Sequence, residues 1–174
     1  MRIVGKDIPV EWRDHYEHAL DRLPTLWPRH FRDRFTHRKN ITLISGDHYL
    51  NQFLCPRDET APLAVMLDIH SMWTNLGADE LWFMLISFFT PEQRCADGLE
   101  HRLLRHYQEG LKGGGVRDYS WEELMRDSRV KAIWRIFHPV WDGAHGTDRA
   151  YWEPKMRCAI GAYEDLQCAE LLDE

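Results

Sequence analysis

Apolar positions along the chain fall into helical spacing at both ends and into short continuous runs in between. Glu11 to Leu23 is a polar amphipathic stretch, and Pro24 is expected to end its helix. A second helix is predicted over about Trp27 to His37, with Trp27, Phe31 and Phe35 on one face. The pattern then changes. Ile41 to Ile44 is rich in β-branched residues and stops at Ser45-Gly46-Asp47, Gln52 to Cys55 is a second short run, and Leu63 to Leu67 is a third, stopped by Asp68. Three short strands around two Asp-bearing loops are therefore predicted.

Helix returns after this island. Leu81 to Ile86 is apolar on every face, which predicts a helix buried on all sides. Pro91 restarts the chain, Leu99, Leu103, Leu104, Tyr107 and Leu111 make one amphipathic face, and Gly113 to Gly115 ends it. Ser120 and Glu123 form a capping box that opens a helix carrying Leu124, Ile133, Trp134, Phe137 and Val140, ending at Gly143. A last helix is predicted from about Asp148 towards Leu172. The fold class is thus α+β, mainly α, as one domain over 1-174 with no repeat or linker.

Composition narrows the function classes. The 174 residues are 44% hydrophobic and 29% charged, enough to build a core and too apolar for a disordered tail. The net charge of −6 argues against a general nucleic-acid binder. The longest apolar stretch, Leu81 to Phe89, falls short of the roughly 20 residues that a membrane span needs. Met1 to Lys6 shows no apolar leader, so a cytoplasmic protein is expected. Cys55, Cys95, Cys158 and Cys168 form no Cys-x-x-Cys pair and are expected to be reduced and mostly buried.

The candidate chemistry lies in Asp47 and Asp68, each placed where a short strand ends and a loop begins. Paired carboxylates at the mouth of a hairpin suit phosphoryl transfer: one takes the proton of an attacking hydroxyl, the other holds Mg²⁺ against nucleotide phosphates. The plainer reading is turn and cap chemistry, which loop aspartates commonly supply. His48 and His70 flank the pair and either tune it or sit in solvent. Glu11, His15 and His18 share a helix face but nothing nearby completes a metal shell. Arg29 to Lys39 reads as a solvated basic helix face, and Trp134, Phe137 and Trp141 as core. No Gly-x-Ser-x-Gly elbow supports a hydrolase.

Ile44-Ser45-Gly46-Asp47-His48-Tyr49-Leu50-Asn51-Gln52 resembles the catalytic loop of aminoglycoside phosphotransferase and choline-kinase-like enzymes, whose pattern is His-Gly-Asp-x-His-x-x-Asn. Val65 to His70 resembles the family's strand ending in a metal-binding Asp, and Gly77 to Leu81 its Gly-x-x-Asp-Leu element. The resemblance implies that the chain corresponds to the C-terminal lobe of a kinase-like fold, with the preceding nucleotide-binding lobe absent. It makes Asp47 the catalytic base, Asp68 and Gln52 metal ligands for Mg²⁺, and Asp79 structural. Ser45, Tyr49 and Gln52 depart from the pattern, standing where the family has His, His and Asn. There is also no Gly-x-Gly-x-x-Gly or Walker-type loop.

The function implied is a truncated phosphotransferase, weak or inactive alone, related to small-molecule hydroxyl kinases. Its cofactors would be Mg²⁺ with ATP or GTP if active, and none otherwise. The alternative is a non-enzymatic pseudokinase-type binding module using the surface left by the absent lobe. Expected partners are a hydroxyl acceptor, a second copy of the chain or a separate chain supplying the lobe, without nucleic acid or membrane.

Overall fold

A computed structural model describes residues 7–44, 52–58, 65–67 and 73–174, with backbone alone for 73–75. The elements are helix α1 (Val10–Trp27), a π-helical turn (Pro28–Arg32), α2 (Asp33–His37) and strands β1 (Ile41–Ile44), β2 (Phe53–Leu54), β3 (Val65–Met66) and β4 (Trp73–Leu76). Then follow α3 (Asp79–Phe88), α4 (Pro91–Cys95), α5 (Leu99–Gly113), α6 (Trp121–Arg135), α7 (Phe137–Ala144), α8 (Arg149–Asp165) and α9 (Cys168–Leu172). The class is α+β, mainly α. Among the described residues no helix is long and apolar enough to cross a membrane.

Proline does not end the first helix where its sequence places the stop. The helical path runs through Pro24 and Pro28 and relaxes into a π turn, where the Asp33 N–H reaches the Pro28 carbonyl. Proline removes one backbone bond and crowds the previous turn, at a cost of about 3 kcal/mol in a helix interior. Burial of Tyr16, Ala19, Leu26 and Phe31 along this path offsets that cost.

The other helix boundaries also differ from the periodicity. The helix opened by Ser120 breaks at Ile136, because Pro139 cannot donate to the Arg135 carbonyl and fits the first turn of a new helix. The Ile136 carbonyl accepts instead from the Tyr16 hydroxyl at 2.8 Å, which ties α1 to the break. The last predicted helix divides at Gln167, whose φ of 53° turns Cys168, Leu171 and Leu172 back into the core.

Strands number one more than expected among the described residues. β1 pairs antiparallel with β4 in the register Ile41↔Leu76 to Ile44↔Trp73. β2 pairs antiparallel with β3, Phe53 opposite Met66 and Leu54 opposite Val65. The two pairs are separate ladders, whereas the apolar runs had indicated three strands.

The core lies where α3 packs between α6 and α8. Trp82, Leu85 and Ile86 of α3 are fully buried, while Leu81 and Met84 are half-buried, so this helix keeps one partly open side. The Trp82 indole donates to Ser128 Oγ at 2.7 Å and fixes α3 on α6. α8 lies close on α4 at Gly161, where a Cβ would stand 2.3 Å from Pro91 Cγ. Buried Arg94 on α4 binds Glu100 of α5 and Asp165 of α8, the latter at 2.6 Å. The capping box forms as expected: Glu123 N–H donates to Ser120 Oγ at 3.1 Å, and Ser120 N–H to Glu123 Oε2 at 2.8 Å. Ser120→Ala is expected to cost about 1 kcal/mol in urea unfolding. A cost below about 0.3 kcal/mol would mean that the cap contributes little.

Candidate functional site

Asp47 and Asp68 lie outside the described residues, as do His48, Asn51 and His70. Described residues adjoin them in the chain. β1 ends at Ile44, three residues before Asp47, and β3 leads through Leu67 directly to Asp68. Gln52 is described. Its backbone carbonyl accepts the Leu67 N–H at 2.7 Å, extending the β2–β3 ladder by one step. The ladder therefore brings together the backbone of candidate ligand Gln52 and that of the residue preceding Asp68.

Beside this ladder runs an apolar groove of about 550 Å³. Ile44, Phe53 and Met66 line one side, Leu81 and Met84 of α3 the other, with Asp79 and Glu80 at the start of the helix. Leu43, Leu54 and Val65 on the strands and Leu67 just after β3 are exposed. Their apolar surface is unusually concentrated for so few residues.

Asp79 sits at the first turn of α3, behind Ala78, which holds a left-handed φ of 56° as N-cap. A β-carbon in that conformation costs about 1 kcal/mol or more. The bend directs the Asp79 carboxylate onto Lys131 Nζ, with Arg135 Nη2 at 3.8 Å from its other oxygen. All three residues are buried. One turn back on α6, buried Asp127 meets Arg34 Nη1 at 2.5 Å and accepts the Tyr119 hydroxyl at 2.6 Å. Burial pulls the Lys131 amine down, and the Asp79 carboxylate opposes it. Burial pushes the Asp127 carboxyl up, and Arg34 opposes that shift.

Sequence reasoning missed this ion-pair row. Asp127, Lys131 and Arg135 are spaced four apart, which on a helix normally reads as a solvated salt-bridge face. Here that face turns inward. Arg34, assigned to the solvated face of the basic stretch, is mostly buried against it, and only its neighbours Arg29, Arg32, Arg38 and Lys39 remain exposed.

No family model, curated protein or solved structure matches the chain. The assignment of chemistry thus rests on the residues themselves.

The remaining candidates divide cleanly. His15 pairs with Glu164 and His18 with Asp173, each at 3.0 Å, so the helix face of Glu11 is tied to α8 and the α9 end. Among the described residues no three His, Cys, Asp or Glu side chains gather as a metal site. Trp134 and Trp141 are exposed, with Trp27 stacking on Phe31 at 4.6 Å and lying 5.7 Å from Trp134, so the expected core stripe is a partly open aromatic surface. All four cysteines are free. Cys158 and Cys168 are buried, but Cys55 and Cys95 are exposed, against the expectation of mostly buried thiols.

Proposed function

We propose that the chain is a phosphotransferase-like protein, the helical C-terminal lobe of a kinase-like fold working in the cytosol on the hydroxyl of a small molecule. The observation that carries this reading is the Gln52 carbonyl accepting the Leu67 N–H at 2.7 Å. A divalent-ion site shared between Gln52 and Asp68 needs those two segments close together, and the bond supports this by holding the Gln52 backbone against that of Leu67, the residue before Asp68 in the chain. The donor set is one carboxylate and one amide oxygen, the hard oxygen ligands that Mg²⁺ takes. In this reading Asp47 accepts the proton of the attacking hydroxyl, while Mg²⁺ neutralises charge on the nucleotide phosphates. The phosphate-covering elements come from other chain, whether further sequence, a second copy or a separate protein. The activity of these 174 residues alone is accordingly weak or nil.

Melting the protein with and without millimolar ATP or GTP and Mg²⁺ tests the proposal, with Asp68→Ala in parallel. A ligand at a hundredfold excess over its dissociation constant stabilises by about 2.7 kcal/mol. A metal-dependent shift abolished by the substitution is the expected result for a working half-site. No shift with either nucleotide would overturn nucleotide binding by this chain.

A second reading, a non-enzymatic binding module, is favoured by a different observation: the exposed Leu43, Leu54, Val65 and Leu67 on and just after the strands. Such a patch suits a protein partner, and a second copy of the chain is the simplest one. Light scattering that stayed monomeric at high micromolar concentration would count against the self-association.

A further inference from the structure

A second cleft, of about 500 Å³, opens at the Ile41 end of β1. Its floor is Tyr119, which packs so closely on Gly77 that an added Cβ there would stand 2.9 Å from the tyrosine oxygen. Tyr107, Leu111 and Val116 form apolar walls. The volume lies within the range of small-molecule sites, and the lining combines flat aromatic and aliphatic surface with a few polar groups at the mouth.

The backbone around this cleft is held in costly conformations. Arg38, Asn40 and Ala78, all non-glycine residues with φ of 52°, 52° and 56°, flank the ends Ile41 and Leu76 of the β1–β4 ladder. Left-handed residues cost about 1 kcal/mol or more each and gather where surrounding structure imposes a fixed shape. The Arg38 turn closes α2, its own N–H and that of Lys39 both reaching the Arg34 carbonyl.

Charge at the mouth is distributed unevenly. Lys39 is 3.5 Å from Glu123, a carboxylate that also receives the Asn40 amide and the Ser120 N–H. Arg38 is exposed and makes no ion pair among the described residues. Asp118 is the carboxylate among the lining residues, set against Arg38, Lys39 and His37.

We propose that this cleft binds a flat organic anion, its apolar body against Tyr107, Leu111 and Val116 and its acidic head on Arg38. The site is independent of the phosphotransferase reading. The cleft adjoins the groove beside the β2–β3 ladder, since Thr42, Tyr107 and Leu111 line both.

The test is a titration of the whole protein with naphthalenesulfonate, followed by amide NMR shifts of Gly77, Leu111 and Val116. Neutral naphthylmethanol and cationic naphthylmethylammonium are titrated alongside. Arg38→Gly removes the guanidinium while glycine keeps the left-handed turn without strain. It is expected to weaken the sulfonate by about fivefold, the effect of one exposed ion pair. Val116→Trp fills the cleft from an exposed position and should abolish binding. Saturable shifts that both variants weaken, with the anion binding tightest, are the expected result. Absence of saturable shifts, shifts that survive both variants, or tighter binding of the ammonium probe would each overturn the proposal.

Discussion

Asp127→Ala is expected to destabilise the protein by about 3–5 kcal/mol, the cost of leaving a buried cation without its partner. The carboxylate is fully buried, receives the Tyr119 hydroxyl at 2.6 Å and faces Arg34 Nη1 at 2.5 Å. Without it, the mostly buried guanidinium would lose its ion-pair partner. Tyr119→Phe should cost less, about 1.5–3 kcal/mol, since it removes a single bond to a charged acceptor. Adding Arg34→Leu to Asp127→Ala should recover part of the loss, because the orphaned cation goes with it. Urea unfolding of the set measures all three. A single-variant loss under about 1 kcal/mol would mean that water reaches the pair.

The second large effect is a loss of stability on acidification. His30 and His138, both lowered from 6.5 to about 4 by burial, contribute in the same sense, and His30 is the one to test. His30 is 3% exposed, and its buried Nε2 has no hydrogen-bond partner among the described residues. Burial, helped by Arg126, Arg34 and Arg29 and opposed by Glu174, lowers its pKa from 6.5 to about 4. Between those values the unfolded chain binds a proton that the folded chain refuses. Stability from this group is therefore complete above about pH 6.5 and falls as pH drops towards 4, by about 3 kcal/mol in all. Asp127 acts in the opposite sense, because its raised carboxyl pKa favours the folded state as acid is added. Subtracting the profile of His30→Met from that of the parent isolates the histidine. Parallel profiles from pH 7 to about pH 4 would show that the folded protein admits the proton at no cost.

His30 and the Asp127 row illustrate why part of this protein was legible in its residues and part was not. Local chemistry was readable. The Ser120 capping box, the β-branched run of Ile41 to Ile44 and the glycine stop after α5 each depend on neighbours a few residues away, and each stands in the structure as expected. The mainly helical α+β class follows from the same short-range periods. The candidate residues Asp47, Asp68 and Gln52 came from their places beside strand ends and from the motif they resemble. Of these, only Gln52 lies among the described residues, on the ladder that reaches Leu67.

Tertiary structure decided the rest, because its energies come from partners far apart in sequence. Pro24 reads as a helix stop, yet burial of Leu26 and Phe31 outweighs the lost backbone bond. The four-residue spacing of Asp127, Lys131 and Arg135 reads as a wet face, yet Asp79 and Arg34, dozens of residues away in the chain, turn it into a buried ion-pair row. The cleft under Arg38 gathers residues from α2, β1, α5 and the loop before α6, none of which marks a site alone. Short-range chemistry determines which elements can form. Desolvation, which depends on everything packed around a group, decides which side of an element faces inward and where cavities remain.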